Sequence, residues 1–128
     1  MVIDTSALIA IALGEPSSQV LLDRVEAAAE RVISSVSLLE AGMVLRARFG
    51  PAAIPVFYQL VEELGTDVVP FDGLQARAAI AAFGRFGKGM AHPAQLNFGD
   101  CAVYALAEFR GDSLLAMAMI SPRRIWLS

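Results

Sequence analysis

The tightest constraint on this chain is its opening, where the β-branched apolar run Met1-Val2-Ile3 ends directly in Asp4-Thr5-Ser6. All three polar residues are good helix N-caps, and Ala7-Leu8-Ile9-Ala10-Ile11 follows at once, so strand, turn and helix are compressed into one short unit. The pattern then repeats. Gly14-Glu15-Pro16-Ser17-Ser18 breaks the first helix and starts a second that should end near Glu30, and Arg31-Val32-Ile33-Ser34 reads as a second strand. Ser35 to Phe49 reads as a helix whose apolar face carries Leu38, Leu39, Met43, Leu45 and Phe49, stopped by Gly50-Pro51, and Ala52 to Leu64 as a fourth. Thr66 to Phe71 is a third strand limited by Pro70, and Asp72 caps a helix running to about Phe86. The aperiodic stretch from Gly87 to Phe98 is long enough to suggest a functional loop. Gly99-Asp100 then begins a helix with Ala102, Leu106 and Phe109 on one face, closed by Gly111, and Leu114-Leu115-Ala116 is the last strand. Short apolar strands separated by helices predict an α/β fold in three layers, a short parallel sheet flanked by helices.

Composition sharpens this. The chain has 128 residues, which predicts a single domain over 1–128. Hydrophobic residues make up 56% and charged residues 18%, which excludes disorder and predicts elements buried on more than one face. No run of about 18 apolar residues lacks a charge, Gly or Pro, so no membrane span is expected. The N-terminus shows no basic segment or cleavage site, so a cytoplasmic address is expected. With a net charge of -3, a nucleic-acid partner would need a local basic patch. Arg46, Arg48, Arg85, Lys88 and His92 could supply one, or could equally be solvated faces and a loop. Methionines and phenylalanines at helical spacing read as core or dimer interface, and Cys101 as a small packing residue. One Cys and one His cannot build a disulfide or a His-rich metal site, so any metal must be held by carboxylates.

Three acids are placed to do so. Asp4 follows the first strand, Glu40 is read in the first turn of the helix after the second, and Asp100 sits in the first turn of the helix entered from the long loop. Ligands of open parallel sheets bind outside the carboxyl ends of strands, where all three can converge. Clustered carboxylates repel one another unless a hard cation such as Mg²⁺ or Mn²⁺ neutralises them, and such a cation suits phosphodiester hydrolysis. Each acid also has a purely structural role open to it. Asp4 can cap the helix beginning at Ser6, Asp100 can complement a helix dipole, and Ser37-Leu38-Leu39-Glu40 fits a capping box.

At these residues the chain resembles the PIN domain, specifically the toxin of the VapBC toxin–antitoxin type. The likeness runs through MVIDTSALIAI, SSVSLLEAGMVLRARFG, FGRFGKG and LNFGDCAVYALA. It implies a metal-dependent endoribonuclease with Asp4, Glu40 and Asp100 as catalytic and metal-site acids. Thr5 or Ser6, with Asn97 of the last motif, would support the site, and Arg46, Arg85 and Lys88 would contact RNA. The resemblance also implies a homodimer and inhibition by a cognate antitoxin.

The C-terminus departs from the family, where Gly-x-Asp-Phe and then Thr-Asp typically follow the last strand. Here residues 116–128 carry no acid, and Asp112 precedes the strand. Read from the third base of the Met117 codon, the same nucleotides force Gly, then Asn, Asp, His or Tyr, then Asp. Permitted codons extend this to Gly-Asn-Asp-Phe-Pro-Ala-Thr-Asp-Leu, so the tail reads as frameshifted. The rival to an active ribonuclease is therefore a weakened PIN module that dimerises and binds antitoxin or RNA without efficient turnover. A haloacid-dehalogenase reading needs an Asp two positions after Asp4, where Ser6 stands, and is set aside.

Overall fold

The computed structural model describes residues 1–111 and the strand at 114–115. Asp112, Ala116 and the remainder of the atypical tail lie outside the described residues. The elements are β1 (Val2–Ile3), α1 (Thr5–Ala12), α2 (Ser18–Ala27), β2 (Val32–Ser34), α3 (Ser35–Phe49), α4 (Ala53–Glu63), β3 (Asp67–Val69), α5 (Gly73–Phe86), α6 (Phe98–Arg110) and β4 (Leu114–Leu115). The four strands are all parallel, in the order β3-β2-β1-β4. The chain steps outward from β1 to β3 and then returns to the other side of β1, so strand order reverses at β1 itself. In an open parallel sheet that reversal is where the crevice forms.

Strand alternation sorts the core into two halves. Ile3 and Ile33 face one side with Leu8, Leu21, Leu45 and Phe57, while Val2 and Val32 face the other with Leu96, Val103 and Leu106. A strand buried on both faces has no room for a polar side chain until it ends, which is why β1 is apolar throughout and β2 admits Ser34 only as its last residue.

Several boundaries differ from the sequence reading, each for a local reason. α2 stops at Ala27 rather than near Glu30, because Ala28 turns extended at ψ 133. The Arg31 guanidinium then donates to the carbonyls of Ala28 at 3.3 Å, Glu26 at 3.1 Å and Leu64 at 3.0 Å, closing the ends of both α2 and α4. β3 is shorter than Thr66 to Phe71, since Pro70 has no N–H to give the ladder and the flanking residues bond elsewhere. Thr66 Oγ1 donates to Val61 O, and Phe71 N donates to Ser35 Oγ at 3.0 Å. α3 buries Ser37, Ala41 and Leu45, whereas Leu39, Met43 and Phe49 are exposed. α3 therefore turns its small residues inward and leaves an apolar outer surface.

The stretch between α5 and α6 is knitted to the body. Leu96 is fully buried; its N–H donates to Phe86 O and its carbonyl accepts from Lys88 N, both at 2.8 Å. Gln95, at φ 49, bonds through its side chain to Gly89 N, Met90 O and His92 O. A Cβ on Gly87 would collide with the Phe83 carbonyl oxygen and ring, so this crossing admits only glycine.

Arg31 gives the fold its clearest single-residue test. Arg31→Met keeps the apolar stem and loses the charged donors, and hydrogen bonds of this kind contribute about 1.5–3 kcal/mol. A urea unfolding curve should show the midpoint lowered by that free energy divided by the slope, with the slope itself unchanged.

Candidate active site

Asp4 is only 3% exposed, at the point where β1 ends and the strand order reverses. Its Oδ1 accepts from Ala7 N at 3.0 Å, capping α1, and from Ser6 Oγ at 2.7 Å. Buried carboxylates are tolerated when hydrogen-bonded to the charged form, and two donors on one oxygen fix its direction. The helix starts at Thr5, one residue earlier than its expected start at Ser6. Ser6 therefore holds Asp4, while the buried Thr5 hydroxyl has no hydrogen-bond partner among the described residues.

Glu40 lies beyond the first turn of α3, which begins at Ser35 and holds no acid, and it departs from the capping-box expectation as well. α3 is capped by Ser34, whose Oγ accepts from Val36 N at 3.2 Å, so Glu40 is not needed at the helix end. Ser37 is fully buried, and its hydroxyl is a second buried polar atom without a described partner. The Glu40 carboxylate instead reaches α6. A Cβ built on Gly99 would lie 2.6 Å from Oε1 and 2.8 Å from Oε2, so the carboxylate occupies a notch that exists only because residue 99 lacks a side chain.

The capping box of this structure is at Asn97. Its Oδ1 accepts from Asp100 N at 2.9 Å, and Asp100 Oδ2 accepts from Asn97 N at 3.1 Å. Asp100 is half-buried, and it stands immediately after the glycine that receives Glu40. Burial pushes the neighbouring Cys101 thiol above its usual pKa, with the negative charge of Asp100 adding to the effect.

The donors at this edge are carboxylate and hydroxyl oxygens, the chemistry of a hard cation. The notch at Gly99 and the orphaned Thr5 hydroxyl both fit a site that is completed by a ligand. Among the described residues, no group of three acidic, histidine or cysteine side chains is placed to hold a metal ion. Mg²⁺ does not require one, since it keeps several waters and binds through one or two carboxylates.

The basic candidates come from two separate segments. Arg46 is exposed on the last turn of α3, beyond Glu40, while Arg85 and Lys88 are exposed around the end of α5. Arg85 lies over the Phe86 ring at 4.8 Å, and Arg48 over Phe49 at 5.4 Å. His92 packs edge-on against Phe86, and its Nδ1 accepts from Ala94 N at 3.0 Å, so it shapes the loop. Gly99 and Ser37 are the two residues that sequence reasoning missed. The only signal for Gly99 was a helix former's absence beside an acid, and for Ser37 the capping-box pattern pointed the wrong way.

Comparison with known proteins supplies the context. The family model for the PIN domain matches residues 1–117. Ribonuclease VapC28 of Mycobacterium tuberculosis is 44% identical over 115 residues, covering 90% of this chain and 86% of the relative. Ribonuclease VapC36 of the same organism is 40% identical over 124 residues, 96% of this chain and 88% of the relative. Ribonuclease VapC of Mycolicibacterium smegmatis is 42% identical over 115 residues, covering 90% and 88%. Among solved structures, Mycobacterium tuberculosis VapC20, titled a sarcin-ricin loop cleaving toxin, superposes with a TM-score of 0.71 at 18% identity, covering 91% of this chain and 88% of that one. At that identity the likeness is one of fold.

The notch can be tested directly. Gly99→Ala places a methyl group where the Glu40 carboxylate lies, and it should weaken Mn²⁺ binding about 10- to 100-fold, the usual cost of disturbing a ligand's support. Calorimetric titration measures the loss, and an unchanged circular dichroism spectrum would separate it from unfolding.

Proposed function

The chain belongs to the PIN-domain family, and we propose that it is a Mg²⁺- or Mn²⁺-dependent endoribonuclease, the toxin of a type II toxin–antitoxin pair. The observation that best supports this is the Glu40 carboxylate seated against Gly99, next to Asp100, at the edge where Asp4 is buried. The names of the relatives carry the substrate class: ribonucleases of the VapC type, matched over most of their length. Asp4, Glu40 and Asp100 are the catalytic and metal-holding acids of this reading. Ser6 orients Asp4, Asn97 fixes the first turn of α6, and Thr5 offers a hydroxyl to the cation or its water. When bound, the cation neutralises these acids and the charge that develops on the phosphate. Arg46, Arg85 and Lys88 contact the RNA backbone, steering an anionic polymer to a protein that is itself acidic overall.

One PIN-type domain over 1–128 acts as a homodimer in the cytoplasm, under control of a VapB-type antitoxin. Leu39, Met43, Val56 and Tyr58, exposed on α3 and α4, supply apolar surface for such protein partners. No described helix is long and apolar enough to cross a membrane.

Two experiments test this reading. Millimolar Mg²⁺ or Mn²⁺ should raise the melting temperature, a cation present at about 100 times its Kd adding about 2.7 kcal/mol. Asp100→Asn should lose most of that rise, and Asp4→Asn should lose RNA cleavage. No metal-dependent rise in the unmodified chain would count against the site.

The second reading, a weakened module, is favoured by the tail, where residues 116–128 carry no acid. We take this tail to be out of frame. Restoring Gly-Asn-Asp-Phe-Pro-Ala-Thr-Asp should strengthen metal binding and raise the cleavage rate on the order of 10–100-fold, by analogy with ligand-support losses. Equal activity of the two chains at every Mg²⁺ concentration would show that Asp4, Glu40 and Asp100 suffice.

A further inference from the structure

Phe98 is the most exposed large apolar side chain of the described residues, at 81%. It opens α6, one residue before Gly99 and two before Asp100. A helix advances about 100° per residue, so Phe98 and Asp100 leave it on opposite sides of the position that receives the Glu40 carboxylate. Beside Phe98 runs a groove of about 410 Å³ walled by Phe71, Ile80 and Phe83 and floored by Cys101 and Ala102. Its position is fixed at the sheet's carboxyl edge, because Phe71 N donates to Ser35 Oγ at the start of α3, the helix that carries Glu40.

We propose that this groove, with Phe98 as its stacking face, receives a nucleobase adjoining the scissile phosphate. This rests on the ribonuclease reading and adds to it a base-recognition site. Charge separates the two neighbouring surfaces. The acids, once neutralised by a cation, suit a phosphate, whereas the groove is apolar and aromatic and suits the flat face of a base. A strand whose phosphate lies at Asp100 and Glu40 has its adjoining nucleotide within reach of Phe98. Size points the same way. About 410 Å³ falls in the range of small-molecule sites, whereas a stable protein contact covers about 800 Å² on each partner, far more than this slot offers. Because every base has a π face, Phe98 would discriminate weakly by sequence and strongly against a missing base.

The test uses a short, fluorescently labelled single-stranded RNA of randomised sequence, with binding measured on an Asp4→Asn background so that it is not cut. Phe98→Ala should weaken binding about 5- to 150-fold, the range reported for removing an aromatic stacking partner, while Phe98→Trp should preserve it. Once the cut is mapped, an oligonucleotide with an abasic residue beside it should bind the Phe98→Ala and unmodified chains alike. Mn²⁺ titration and sedimentation velocity should be the same for both chains. Equal binding of base-bearing RNA by Phe98→Ala overturns the proposal. So does a loss that persists on the abasic strand, or a changed oligomeric state, which would make this face a contact between proteins. If the unmodified chain neither cuts nor binds RNA, the ribonuclease reading itself falls and takes the stacking site with it. An active chain indifferent to Phe98→Ala removes the stacking site alone.

Discussion

Asp4 is buried where its carboxyl group must still find hydrogen bonds, and that requirement organises the carboxyl edge. A carboxyl group at 3% exposure is costly unless it is hydrogen-bonded, and here Ala7 N and Ser6 Oγ both converge on Oδ1. The same contacts start α1, so the turn that makes the acid tolerable also sets the direction of the first helix. α1 then packs on α3, and α3 carries Glu40. Stability and chemistry are thus tied at one residue, the usual arrangement where a site is built on rigid elements and not on a loop.

The two central strands support this edge from below by being buried on both faces. Val2 and Val32 belong to one half-core and Ile3 and Ile33 to the other, so β1 and β2 are clamped between helical layers. Polar groups can appear only where strands end, and Asp4, Ser34 and Ser35 all lie at such ends. The strand-order reversal at β1 brings α1, α3 and α6 together there. The crevice follows from topology, and its chemistry from the residues that topology leaves at the strand ends.

Much of the fold could be read from the sequence because its signals are local. Gly50-Pro51 marks the end of α3, Asp72 the start of α5 and Gly111 the end of α6, all within a residue or two of the helices they bound. The acids' placement at a strand end and near helix starts was local too. What could not be read depended on residues distant in sequence. Arg31 looked like the edge of a strand, and its role appears only when the ends of α2 and α4 meet. Ser37 and Glu40 fitted a capping box, but Ser34 took the cap and released Glu40 toward α6. Which residues of α3 face inward was not local either: Ser37, Ala41 and Leu45 are buried while the more apolar Leu39 and Met43 are exposed.

The stretch between α5 and α6, anchored by Leu96 in the core and by the tight crossing at Gly87, acts as a brace. A tethered segment would let α6 fray or swivel from its first turn, opening locally at little free energy. This one has no slack. Its backbone is bonded to the end of α5, its apolar side chain is sunk in the core, and Gln95 closes its bend. Asn97, Phe98 and Asp100 therefore keep their phase relative to α5, and the first turn of α6 opens only with the half-core beneath it. Amide exchange there should follow the slow, cooperative regime of the sheet and not that of a surface loop.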